Sequence, residues 1–338
     1  MPAKHANKTT FGIIGYGRFG KLWARALSRR GRVLVFDKKS MRARTNKKVK
    51  LVNLKEAVNV DILFLAVPIS ELENCCRRIA PLLKPDTLVL DTCSVKIDPV
   101  RVMKKNLPKN QPILATHPLF GPDSARVNKG IRGLKIVVCR VQNSRRLERK
   151  ILQTLRSLGL RIIFSTPAKH DGQMARSQAL VHIIGRGLGK LNLRHQEIST
   201  PDYENLLRMH EMVANDTRQL FFDMIEKNPF AKNVGKRLIN NLEKLDMKIS
   251  LRNGSLENLR RQINNTDENI IKLLSLRAMI AEKIGDIKKR RDLPVYDESR
   301  EHELDIMHRK LAKRLKVDPK SVAKIFSLVM KNSRNLQT

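Results

Sequence analysis

The residues best placed to do chemistry lie near the end of the chain, where cations interrupt an apolar helix. From Leu256 onward, apolar side chains recur at heptad spacing through Leu256, Ile263, Ile270 and Ile284, with a second line through Leu259, Leu273, Ile280 and Ile287. Arg277 stands where the first line would place another aliphatic residue. A guanidinium facing a helix core is costly unless an anion meets it, so the position asks for a buried carboxylate or phosphate. Lys288 follows on nearly the same face, because about 100° of rotation per residue brings it round again three turns later. Two cations on one inward face form a clamp for a small, multiply charged anion. Ser333 and Gln337 fall i,i+4 on the last helical stretch, so both can point at one site.

A second constellation opens the chain. A strand runs into Gly15-Tyr16-Gly17-Arg18-Phe19-Gly20, which leads into a helix over Lys21 to Arg30, and a second short strand, Arg32 to Phe36, ends in Asp37. Glycines at these places let the backbone approach a pyrophosphate at a helix N-terminus, and an acid at the end of the second strand takes ribose hydroxyls. Gly15, Gly17, Gly20 and Asp37 are therefore the expected cofactor-binding residues. Asp37 points to NAD rather than NADP, since its charge repels a 2′-phosphate; Lys38, Lys39 and Arg42 follow it closely.

The elements that must position these groups alternate. Further strands are expected at Asp61 to Val67, Thr87 to Asp91, Ile113 to Thr116 and Leu134 to Val138, separated by helices, which predicts an α/β Rossmann fold with a doubly wound parallel sheet. Ligands bind outside the carboxyl ends of such strands. The loops there are Asp91-Thr92-Cys93-Ser94-Val95-Lys96 and Thr116-His117-Pro118-Leu119-Phe120-Gly121-Pro122-Asp123-Ser124, which should surround the nicotinamide. Taken alone, His117 could serve as a turn or cap, and His182, within an apolar helix, could be a packed core residue.

Over about Ser255 to Gln337 the chain resembles the all-helical chorismate mutases. The resemblance rests on Leu259-Arg260-Arg261-Gln262-Ile263, Asp267, Arg277, Gly285, Lys288, Pro294-Val295-Tyr296-Asp297, Arg300-Glu301, Ser333 and Gln337. It implies that Arg260 (from across a dimer), Arg277 and Arg300 hold carboxylates. Lys288 and Gln337 would contact the ether oxygen, while Glu301 and Asp297 orient the hydroxyl end and Ser333 completes the substrate site. A Claisen rearrangement is pericyclic and needs no nucleophile or proton shuttle. It needs a pocket that holds the reactant folded and sets positive charge where the breaking C–O bond becomes electron-rich. The bland alternative is a basic coiled coil with one misplaced arginine, which leaves Ser333, Gln337 and Arg300-Glu301 unexplained.

Over about Phe11 to Leu245 the loops just quoted, with Lys169-His170-Asp171 and Gln178-Ala179-Leu180-Val181-His182, resemble the prephenate and arogenate dehydrogenase family. By that likeness His117 draws the proton from the ring hydroxyl at C4 while hydride leaves for NAD, and loss of carbon dioxide gives an aromatic ring. A neutral histidine can accept a proton near neutral pH. Ser94 is expected to contact His117 or the hydroxyl, and His182 to line the substrate pocket. One departure stands out: Met212 occupies the place of an arginine that holds the ring carboxylate in the family, with Arg208 and Arg218 one or two turns away. Either a neighbouring arginine substitutes or the carboxylate is held differently.

At 338 residues the chain has room for several domains. The expected division is a Rossmann domain over 1–165, an all-α dimerisation and substrate domain over 166–252, and a three-helix mutase domain over 253–338, with a linker at Arg252-Asn253-Gly254-Ser255. Both resemblances imply a homodimer. The net charge of +36 would suit a nucleic-acid partner, yet residues 1–250 carry 48 Lys+Arg against 20 Asp+Glu and residues 251–338 carry 20 against 12, so no basic stripe stands out. With 4% aromatic residues there is little to stack on bases, and no specific nucleic-acid partner is expected. Cys75, Cys76, Cys93 and Cys139 lack metal-binding spacing, so no metal is expected. No apolar run is long enough to span a membrane, and the first ten residues have no signal-peptide character, which suggests a cytoplasmic protein.

The combined expectation is a bifunctional enzyme of tyrosine biosynthesis with chorismate and prephenate as its substrates: it makes prephenate and then oxidises it. The nearest alternative is the same fusion acting on arogenate. A dehydrogenase of another hydroxy acid, or a catalytically silent regulator, is the more distant reading.

Overall fold

The computed structural model describes residues 9–38, 48–142, 145–252 and 255–337, with the side chains of 250–252 excepted. Lys39, Arg42, Asn253 and Gly254, named above, lie outside the described residues. Among the described residues eight strands form one sheet: β1 (Thr10–Ile14), β2 (Arg32–Phe36), β3 (Val49–Leu51), β4 (Ile62–Leu65), β5 (Leu88–Asp91), β6 (Ile113–Pro118), β7 (Lys135–Gln142) and β8 (Arg161–Phe164). Their order is β3-β2-β1-β4-β5-β6-β7-β8. The chain therefore reverses direction of travel across the sheet between β1 and β4, and a crevice opens at the carboxyl ends of those two strands.

The central strands are apolar throughout because helices cover both faces. Alternate residues go to opposite sides: Phe11, Ile13, Val33, Val35, Ile62 and Phe64 join one buried cluster, while Leu34, Leu63, Leu65 and Val89 join the other. The first helix, Arg18–Leu27, seats Trp23 in the first cluster, edge-on to Phe64 with ring centroids 5.5 Å apart. It begins three residues earlier than expected.

The sheet is not wholly parallel. β7 pairs antiparallel with β6, whereas the other pairs are parallel. Between β6 and β7 the chain holds only the six-residue helix Pro122–Val127. At about 1.5 Å per residue this helix cannot carry the chain back along the sheet, so the next strand returns beside β6. β3 and β8 were not anticipated; one has three residues and the other four.

After β8 the chain is helical. Thr166, Thr200 and Thr217 each cap a helix by accepting from a backbone N–H three residues on, and the first two are followed by proline at the first helical position. By contact the chain divides into two compact units, before and after Asn240/Asn241. The second unit contains three long helices, Leu256–Arg290, Glu298–Leu315 and Pro319–Asn335, capped by Ser255, Asp297 and Asp318. The heptad lines expected to face a core are largely uncovered within one chain: Leu256, Ile263, Ile270 and Leu273 are each at least half exposed.

Candidate active sites

The glycine turn has the geometry of a dinucleotide cradle. Gly15 sits at φ +105°, a conformation that L side chains rarely adopt, and a Cβ there would lie 2.3 Å from the Ala66 carbonyl oxygen. A Cβ on Gly20 would lie 2.1 Å from the Gly15 carbonyl oxygen, so glycine is what allows the helix to pack on the turn. Gly17, at the helix N-cap, faces open space. A cavity of about 470 Å³ is lined by Gly15, Gly17, Asp37, Lys38, Val67, Pro68 and their neighbours. Asp37 Oδ2 accepts the Tyr16 N–H at 2.6 Å, which holds the acid at the mouth of the turn. An open N-terminus, an uncrowded glycine and a carboxylate on one cavity wall fit a dinucleotide.

A second cavity in the same unit, about 570 Å³, is lined by His117, Asp123, Ser124, Gln178, His182, Arg208, Met212 and Asp216, among others. His117, at the end of β6, is only 3% exposed. Its Nδ1 lies 2.9 Å from His170 Nε2, and His170 Nδ1 lies 2.7 Å from Asp171 Oδ1. Burial, with His170 and Lys96 beside it, holds the His117 imidazole well below its ordinary pKa. Lys96, fully buried, pairs with Asp91 and donates to the Thr116 carbonyl at 2.6 Å, tying the ends of β5 and β6 together next to His117.

His182 is 3.6 Å from Asp216, and burial, followed by the Arg186 charge, pushes its pKa down to about 4. Its Nδ1 and the Gln178 Oε1 are buried without hydrogen-bond partners. Ser94 forms no hydrogen bond with His117 and does not line this cavity; His170 takes His117 Nδ1 instead. Of the two arginines near Met212, Arg208 lines the cavity and Arg218 does not. The sequence offers His170 and Asp171 only as part of a motif, and their adjacency to each other is its sole signal of their pairing.

In the second unit, Arg277 is partly buried and its Nη1 donates to Ser333 Oγ and, at 3.3 Å, to the Val329 carbonyl. Lys288 Nζ donates to the Val295 carbonyl at 2.7 Å. Gln337 packs on Gly285, where a Cβ would lie 2.8 Å from the Gln337 Cα, and its buried Oε1 has no partner. Glu301 pairs with Arg334, which also lies over the Tyr296 ring at 5.6 Å. Asp297 caps its helix by accepting the Arg300 N–H at 3.0 Å. The Arg300 side chain is 61% exposed and turned to Glu303 at 2.8 Å, and Arg260 is exposed. One chain thus brings Arg277 and Ser333 together and leaves Arg260 and Arg300 at the surface.

Comparison with known proteins gives a separate match in each unit and a third that crosses the boundary between them. The family model "Prephenate dehydrogenase, nucleotide-binding domain" matches residues 23–137, "Chorismate mutase type II" matches residues 259–338, and "TYRAAT1-like, C-terminal domain" matches residues 187–263. Arogenate dehydrogenase 1, chloroplastic, of Arabidopsis thaliana is 28% identical over 252 residues, 70% of this chain and 39% of its own length. Arogenate dehydrogenase 2, chloroplastic, of the same plant is 30% identical over 246 residues, 70% of this chain and 66% of its own. The chain thus spans less than two thirds of either relative. Among solved structures, Aquifex aeolicus prephenate dehydrogenase in complex with hydroxyphenyl propionate and NAD+ shares the fold, with a TM-score of 0.55 at 16% identity over 82% of this chain and 99% of that one. No helix among the described residues is long and apolar enough to cross a membrane.

Proposed function

The chain belongs to the prephenate dehydrogenase family over residues 23–137 and to the type II chorismate mutases over residues 259–338, and from that premise we propose a bifunctional enzyme that rearranges chorismate to prephenate and oxidatively decarboxylates the product to 4-hydroxyphenylpyruvate. The observation that carries the dehydrogenase reading is His117, buried at a cavity wall with Nδ1 already engaged, so that Nε2 is the nitrogen available to a substrate hydroxyl. NAD, when bound, supplies the hydride acceptor. Gly15, Gly17 and the helix N-terminus would hold its pyrophosphate, and Asp37 its ribose hydroxyls. Arg208 is the cation in the cavity placed to meet the ring carboxylate in the role Met212 cannot fill.

In the mutase site Arg277 and Lys288 supply the positive charge, with Ser333 fixing the guanidinium and Gln337 set against Gly285. Arg260 would reach a site only in a partner chain, so a homodimer is part of this reading, with Arg300, Asp297 and Glu301 closing around the substrate.

A coupled assay with chorismate, NAD and the purified full chain tests both sites, reading chorismate loss, NADH and 4-hydroxyphenylpyruvate. His117→Asn should abolish NADH formation while sparing chorismate loss, and Lys288→Ala should do the reverse. If either change silenced both activities in a folded protein, two separate sites would be refuted.

A second reading has its own support. Asp216 lines the His117 cavity, and burial raises its pKa, with Arg18 opposing that shift. A carboxylate there suits the ammonium of arogenate better than the keto group of prephenate. Under that reading NADH forms faster with arogenate, and Asp216→Asn moves the preference toward prephenate.

A further inference from the structure

Behind His117 runs a buried file of side chains whose hydrogen-bond directions are determined from the far end. Asp171 is fully buried, and its carboxylate accepts the N–H groups of Lys96 at 2.7 Å and Ile97 at 2.8 Å at the start of the helix Ile97–Asn106. A carboxylate used this way is an acceptor, so the proton in its 2.7 Å contact with His170 belongs to His170 Nδ1. With a single ring proton, at Nδ1, His170 presents a lone pair at Nε2, and the 2.9 Å contact with His117 then puts the shared proton on His117 Nδ1. His117 Nε2 is left as a lone pair on the cavity side.

We propose that His170 and Asp171 are positioning residues that fix His117 in its Nδ1–H tautomer and hold the proton that the reaction lends it. The inference rests on the reading of His117 as acceptor of the ring-hydroxyl proton. As the C4–H electron pair leaves as hydride, the O–H pair becomes the carbonyl π bond and the proton passes to His117 Nε2. The Nδ1 proton moves on to His170 Nε2, which places the positive charge beside Asp171. When the bond from the ring to the departing carboxylate breaks, its electron pair enters the ring. The carbonyl π pair returns to oxygen, and the phenolate recovers its proton from His117 Nε2 as His170 returns its own. No proton is released overall, so the file needs no path to water, and all three side chains are at most 3% exposed.

The surrounding charges explain why a second imidazole is useful. Lys96, paired with Asp91, faces His117, and burial together with that cation disfavours charge on His117 itself. His182, Asp123, Asp216 and Arg208 face it across the cavity.

The test uses the full chain labelled with ¹⁵N at histidine. Wild type should show His117 protonated at Nδ1 and bare at Nε2; protonation at Nε2 overturns the proposal. His170→Gln offers an amide oxygen to Nδ1–H, so it should keep the tautomer and KM but lower kcat by about 10²-fold, whereas His170→Phe should lose the tautomer preference as well. An unchanged thermal unfolding transition and NAD affinity verify folding of the unit that holds His170 in both variants. Wild-type kcat in His170→Gln overturns the relay. Absence of NADH formation in wild type with either substrate refutes the functional reading instead, and the ring-nitrogen spectrum still decides the tautomer.

Discussion

Gly17 and Gly20 sit on one turn of chain but answer to different constraints. At Gly20 a Cβ would press on the Gly15 carbonyl at 2.1 Å, while at Gly17 it would meet nothing within 4 Å. Gly20→Ala should therefore force the helix Arg18–Leu27 away from the turn and lower the melting temperature along with NAD affinity. Gly17→Ala should keep the melting temperature and lose NAD affinity, because the methyl group enters the space a pyrophosphate would occupy. Thermal unfolding with and without NAD separates the two, and an equal loss of stability in both would contradict this account. The glycines, Asp37 and His117 were legible in the sequence because their types and spacing are local. The partnership of His117 with His170 was not, since 53 residues separate them and no periodicity links them. Ser94 was expected at His117 because its loop is, yet the interior of that loop is taken by the Asp91–Lys96 pair.

At the level of elements, that pair joins two strand ends. Asp91 Oδ1 accepts the Thr116 N–H at 3.1 Å and Oδ2 accepts the Cys93 N–H at 3.0 Å, while Lys96 Nζ reaches both Asp91 and the Thr116 carbonyl. Removing the cation leaves a buried carboxylate unpaired, so Lys96→Met should cost about 3–5 kcal/mol of stability by chemical denaturation. It should also shift the register of β6 under His117, and a variant as stable as wild type would show that the carboxylate is neutralised by other means. The central strands were readable from their uninterrupted apolar runs. The antiparallel return of β7 was not, because the 2-residue period of a strand carries no sign of its direction. β3 and β8 were too short to register as a pattern.

At the scale of the whole molecule, each unit gathers candidate site residues, and two of those in the second, Arg260 and Arg300, lie at the surface of the single chain. Its heptad lines are as regular as a core seam and still face outward, with Ile263 at 60% and Leu273 at 65% exposure. An apolar face of this extent on a long helix calls for a covering partner. The exposed Arg260 on the same helix supplies the chemical reason for a second copy, since a cation lacking in one chain's pocket can come from another's. The full chain should therefore sediment as a homodimer, and its mutase activity per chain should fall on dilution. Ile263→Glu combined with Leu273→Glu would bury two unpaired carboxylates in that contact and should prevent this pairing. Mutase activity should then collapse, while NADH formation from prephenate persists in the unit that holds His117. A double variant with wild-type mutase activity, or a wild-type chain that is monomeric and fully active, would show that the exposed seam has another purpose.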